Sequence, residues 1–375
     1  MKKYLQLILF AFMLSGLCVS AQNSPNITKV LEYCPAPGQH INRLFPTPDL
    51  CTSPENALKF AENSLIDNKS MLGLGAYGGY VVVGFDHPIV HVKGAYDFIG
   101  LGNANTNGSE PGIVMVSQDL NKNGKHDSDE PWYELAGSEY NKPATIHNYE
   151  ITYYRPEPDG QKSNIRWKDN QGQEGVISHI SFATQSTIYP LWITANSLTF
   201  KGTKLANTAV ETSGFFSLPC FDWGYIDNQP NTETIDKNGF KIDWAVDENG
   251  NSVDLAYIDF VKVYTAQLQE AGLLGETSTD FAGIIDLHPD AKTETRVENT
   301  MNNKIHVCNP FSESIVINLP ESAIIRLYNV SGQCLLQQNA VTGENRVDTE
   351  KISSGMYVLV VEIKQERSTF KLIKK

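Results

Sequence analysis

Short runs of β-branched and aromatic residues, broken at close intervals by Gly, Asn and Asp, most constrain what this chain can become. Such runs lie at 80–85, 89–92, 113–116, 149–154 and 198–200, and each reads as a strand bounded by turn residues. Only one stretch carries a helix start: Ser53-Pro54 occupies the N-cap and first helical positions ahead of Leu58, Ala61 and Leu65. Many short strands with almost no helix favour antiparallel sheets over a parallel α/β layer. The expectation is therefore an all-β protein, a jelly-roll-like antiparallel β-sandwich, with no repeat of solenoid or propeller period. Within it, Phe240, Ile242, Trp244 and Val246 alternate with Lys241, Asp243 and Ala245, which predicts a strand with one apolar face. The turn at 247–251 and the run at 257–264 would complete a hairpin.

The two ends have a different texture. Lys2 and Lys3 precede an apolar run of roughly 14 residues and the small-residue tripeptide Val19-Ser20-Ala21, which predicts an export signal at 1–21, cleaved after Ala21. The run is shorter than the about 20 residues a spanning helix needs, and no later stretch matches it. Cys18 as a lipid-attachment site is disfavoured by the bulky Leu17 before it. Residues 22–68 form a Pro-rich segment with the short helix, 69–280 the main sandwich, and 281–303 a linker rich in Thr, Asp, Glu and Asn. Residues 304–375 return to alternating strands and Gly turns, a small immunoglobulin-like β-sandwich.

Charge narrows the function classes. The formal charge of −13 becomes −15 once Lys2 and Lys3 leave with the signal, a balance that repels phosphate backbones and excludes nucleic acid as a partner. Loss of Cys18 leaves five cysteines, so at least one thiol is unpaired or pairs between molecules. Cys34 and Cys51 flank Pro35-Ala36-Pro37-Gly38 and read either as a local disulfide or as two buried free thiols.

The strongest chemical motif lies at 119–130. Counting Asp119 as one, side-chain oxygens fall at Asn121 and Asn123, Gly124 takes the sixth place, Lys125 offers its carbonyl at seven, and Asp127 and Glu130 stand at nine and twelve. Every slot of an EF-hand-type loop is filled, and Ca2+ is the expected cofactor, held in a loop between strands and acting to rigidify it. The alternative is an Asn/Asp/Gly turn that binds no metal. Asp222, Asp227, Asp236, Asp247 and Asp254 fit no template and read as solvated turns.

No HExxH, GxSxG, GxxxxGK[ST] or Rossmann glycine pattern occurs, so no catalytic residue is assigned. His87 and His91 read as a surface pair on one strand face. Carboxylate-pair chemistry is left to Glu110, Glu134, Glu139 and Glu150, all near strands. For ligand stacking the best-placed aromatics are Trp132 and Tyr133, directly after the loop, and Trp223 and Tyr225 in a Gly/Asn context, with Trp244 assigned to the core.

Two resemblances add to this reading. The ordered set Asn309-Pro310-Phe311, Leu327-Tyr328-Asn329-Val330-Ser331-Gly332-Gln333, Ser353-Ser354-Gly355-Met356-Tyr357-Val358-Leu359 and Lys371-Leu372-Ile373-Lys374-Lys375 resembles the C-terminal sorting domain of Bacteroidota proteins exported by type IX secretion, over 304–375. Cys308 departs from the Pro usual before Asn-Pro-Phe. The resemblance implies two-step export, the type IX machinery as partner, and release or fixation at the cell surface. Segments 83–89, 96–98, 102–103, 109–112, 119–140 and 258–264 resemble Bacteroidota cell-surface proteins associated with outer-membrane nutrient uptake, including cobalamin uptake. That resemblance implies a non-catalytic, calcium-stabilised binding protein that captures a nutrient such as cobalamin, with an outer-membrane transporter as a further partner. A secreted polysaccharide-active hydrolase or lyase, or a glycan-binding module, is the alternative.

Overall fold

The computed structural model describes residues 23–42, 53–157, 161–181, 183, 185–292, 305–307, 309–364 and 366–375. The expected signal at 1–21, Cys51, Cys308 and most of the expected linker lie outside the described residues. The chain divides into two compact units, 1–293 and 294–375. Both are built of antiparallel sheets, and the all-β class expected from the strand pattern is the one observed.

In the first unit a six-stranded sheet runs in the order Lys29–Cys34, Tyr80–Val90, Tyr257–Thr265, Gly112–Ser117, Tyr133–Leu135, Ala245–Val246. Its alternation produces two unlike faces. Val81, Val83, Val114, Val116, Val261 and Val263 enter one core, with Ile27, Phe98, Phe240 and Ile284. The helix Pro54–Leu65 closes this core through Ala57, Ala61 and Leu65, and the Ser53 side chain accepts from the Asn56 amide at 3.2 Å, as the cap signal predicts. Toward one end of the opposite face, Ile113 and Tyr264 meet Tyr77, Tyr149, Tyr153 and Phe200. Three of those come from, or pack beside, a second sheet ordered Ser197–Lys204, Ile146–Tyr154, Ile165–Asp169, Glu174–Ile177. The second sheet leaves the rest of that face open, and both larger cavities lie there.

Several sequence expectations are revised. The 240–246 alternation is not one strand: Gly239–Phe240 pairs with Phe98–Leu101, Ile242–Trp244 is a 3₁₀ turn, and Ala245–Val246 pairs with Tyr133–Leu135. No hairpin with Tyr257–Thr265 forms, because that strand already has Tyr80–Val90 and Gly112–Ser117 as neighbours. The fully buried Asp97 carboxylate holds the turn, accepting the Val92 and Ile242 amides at 2.7 Å each. A strand, Lys29–Cys34, sits in the Pro-rich segment; a register shift between Val30 and Glu32 breaks the alternation that would have marked it. The linker begins later than 281, since Phe281 and Ile284 are fully buried and Gly283–Asp286 pairs with Phe98–Leu101.

His87 and His91 are not an exposed pair. His87 lies between Asp86 at 2.6 Å and the buried Asp286 at 2.7 Å, and His91 between Asp97 at 3.3 Å and Asp243 at 3.0 Å. Cys34, Cys220 and Cys334 are free thiols, and burial raises the Cys34 thiol to about 11.

The second unit packs a sheet of His306–Val307, Ser314–Leu319 and Gly343–Asp348 with one of Cys334–Ala340, Ala323–Asn329, Gly355–Ile363 and Glu366–Lys374. Ile315, Ile317, Ile325, Leu327, Val347, Leu359 and Leu372 form its core. Its sequence motifs meet in space. Asn309 receives the Ile373 amide at 2.9 Å and donates to the Lys371 carbonyl at 3.0 Å, while Phe311 is buried edge-on to Tyr357. Gly332, at φ +82°, makes the turn that lets Asn329 bond Gln333. Among the described residues no helix is long and apolar enough to cross a membrane.

Candidate ligand groove beside an acidic loop

Cross-strand register sets the open face. Glu32 is opposite Val82, Val82 opposite Lys262, Lys262 opposite Met115 and Met115 opposite Glu134, so one row of side chains crosses five strands. Trp132 stands over this row and lines both cavities, one of about 520 Å³ toward Glu32 and Lys262 and one of about 550 Å³ toward Met115 and Glu134.

At the first cavity the His126 ring stacks on Trp132 with centroids 4.2 Å apart and meets Phe260 edge-on. Burial lowers the His126 pKa, and its Nε2 has no hydrogen-bond partner. The Lys262 ammonium sits 4.0 Å from the Tyr80 ring centre and 6.0 Å from that of Trp132, and burial lowers its pKa. Tyr80 donates to Glu32 Oε1 at 2.5 Å.

At the second cavity Glu134 is hemmed in by protein although part of its surface follows the cavity wall. Burial lifts its carboxyl to about 7 against the opposing hydrogen bond from Thr203 Oγ1 at 2.5 Å. Tyr140, His147, Lys201 and Asp247 share the cavity. A carboxyl that carries its proton near neutrality can donate a hydrogen bond to a ligand or act as a general acid.

The loop at 119–130 connects Gly112–Ser117 to Tyr133–Leu135, between strands as expected. It is wound by its own side chains. Asp119 accepts the Asn123 and Gly124 amides at 3.0 and 2.7 Å, Asn121 and Asn123 each accept an amide two residues on, and Glu130 accepts those of Leu120 and Asp127. Gly124, at φ +77°, makes the bend. Asp127 Oδ2 takes the side-chain amides of Asn121 and Asn123 at 2.7 and 2.6 Å, which holds its carboxyl below the usual range. The backbone path thus suits the EF-hand spacing. Asp119, Asp127 and Glu130 do not converge, however, and among the described residues no three His, Cys, Asp or Glu side chains do so. Taking a cation would require the Asn121 and Asn123 amides to turn their oxygens inward and Asp127 to release them.

The other expected ligand aromatics are placed differently. Tyr133, one residue after Trp132, points to the opposite face and packs on the first core. Tyr225 is 2% exposed and its hydroxyl accepts the Glu139 amide at 3.0 Å. Trp223 leans on Trp244 at 4.6 Å, away from both cavities. Lys262 and His126 went unmarked in the sequence; alternation along Tyr257–Thr265 could have signalled Lys262, the one charged residue between Phe260 and Tyr264 on that face.

Residues 308–375 match the secretion system C-terminal sorting domain family. The chain ends in a type IX sorting domain. It is therefore a Bacteroidota secreted or cell-surface protein, and residues 308–375 are its point of engagement with the type IX secretion machinery. No curated protein matches the chain.

Proposed function

We propose that the first unit is a non-catalytic binding module that captures a nutrient such as a corrinoid in the groove on either side of Trp132, beside a loop that Ca2+ stiffens. The observation that carries this reading is the position of Trp132, half-buried and lining two cavities, with His126 stacked on one face. An anchored indole offers a large planar surface at small entropic cost, while Lys262, Glu32 and Glu134 supply polar contacts on both sides. Surface export is consistent with capture for a transporter.

A second reading has one observation in its favour. Glu134, protonated near neutrality, shares its cavity with Asp247, an acid and a carboxylate of the kind polysaccharide hydrolysis uses. Calorimetric titration with cobalamin and then with a panel of oligosaccharides, in Ca2+, tests both. Saturable heat without product, lost in Trp132→Ala and retained in Glu134→Gln, supports capture. Product formation abolished by Glu134→Gln would replace it with hydrolysis, and silence toward every ligand would refute a binding role for the groove.

A further inference from the structure

Away from the Trp132 groove, a third cavity of about 410 Å³ has three acidic side chains in its wall, Glu110, Glu276 and Asp280, and no Lys or Arg. Glu276 is 2% exposed; its Oε1 accepts the Gln39 amide at 2.8 Å, and its Oε2 has no partner. A buried carboxyl oxygen left unpaired is costly and calls for an explanation. Asp227, behind the wall, is not free for a ligand, because it accepts the amides of Asn103, Ala104 and Asp280 at 2.7 to 2.8 Å. Burial pushes Glu110 up to about 8 and raises Glu276 and Asp280 as well, as acids do when the compensating positive charge is missing. The one basic group in the lining is His40.

The cavity's shape separates the cations it could take. Among the described residues no three acids gather as a metal would need, and the volume far exceeds a bare ion, so a metal is poorly matched. Leu273 and Leu274, 72% and 60% exposed, and the buried Leu218 add apolar surface to the same lining. An acidic wall with an apolar rim suits a charged nitrogen on an aliphatic stem. We infer that this cavity binds a small free alkylammonium compound, one nitrogen against Glu276 and Glu110 and its methylenes along Leu273 and Leu274.

The test is calorimetry of the full mature chain with cadaverine, pentan-1-ol, Nα-acetyl-lysine methylamide and CaCl2. Saturable cadaverine binding is expected, weakened at least about 10-fold in Glu276→Gln and in Glu110→Gln and unchanged in Glu344→Gln, an exposed position in the second unit. An ammonium seated against Glu110 and Glu276 favours their ionised forms, so wild-type protein should release protons on binding near pH 7, read from the heat in buffers of different ionisation enthalpy. That measurement needs no variant and holds if the Gln variants fail to fold. Absent cadaverine heat, equal binding of pentan-1-ol, no proton release, or displacement by Ca2+ alone would overturn the inference. Tighter binding of the capped lysine than of cadaverine would overturn the choice of a free amine.

Discussion

Glu134→Gln tests the reading of the second cavity through stability alone. Glu134 is raised from an ordinary 4.5 to about 7, so the folded protein holds its proton across a range where the unfolded chain has lost it. The stability that comes with this proton is fully present below the unfolded value and drains away as pH rises through the folded one. Between pH 5 and 8.5 the group should cost the wild type about 2 to 3 kcal/mol, at 1.36 kcal/mol per unit of separation. Gln preserves shape, can donate to Thr203 and does not titrate. Subtracting the variant also removes the parallel loss from Glu110, Glu276 and Asp280, which both proteins share. Urea unfolding at the two pH values should therefore give a variant that gains about 2 to 3 kcal/mol on the wild type as pH rises, with Tm moving by roughly 5 to 10 °C for a unit of this size. A difference flat to within about 0.5 kcal/mol would refute the argument, because it would mean that water reaches the carboxylate freely.

Other outcomes follow from the same geometry. Trp132→Ala should weaken ligand binding by about 10- to 100-fold in calorimetry. Ca2+ at millimolar concentration should raise the Tm of the first unit, and Asp119→Ala should abolish the rise while EDTA leaves the variant unchanged. Ser53→Ala should cost about 1 kcal/mol in urea unfolding through the lost cap. Deleting 305–375 should leave the protein inside the outer membrane, measured by cell fractionation.

Strands were legible where β-branched and aromatic residues ran together between turn residues, as at 80–85 and 113–116, and the helix where its cap and first-turn proline stood together. The 240–246 segment misled because its apolar residues alternate as in a strand, while the 3₁₀ turn at 242–244, with its three-residue repeat, buries Ile242 and Ala245 and leaves Trp244 half-buried; the deciding partner, Asp97, lies some 145 residues away in sequence. The second unit was readable motif by motif because its pieces touch each other in a small core. Of the groove, Trp132 was visible from its place after the acidic loop, and the alternation rule applied to 132–133 already separates it from Tyr133. The third cavity was hidden for the opposite reason: Glu110, Glu276 and Asp280 come from distant segments, and burial perturbs them only once the sheets have closed.

The row from Glu32 to Glu134 also acts as a ruler. Four inter-strand steps of about 4.8 Å place its ends roughly 19 Å apart, with Trp132 standing between them. Strands in a hydrogen-bonded lattice cannot slide to shorten that span. A compact ligand can therefore occupy only one side of the indole, whereas one nearly 2 nm long can hold both ends at once. Within an oligomer series, affinity should climb in a step at the length that first bridges the row, not smoothly with each added unit.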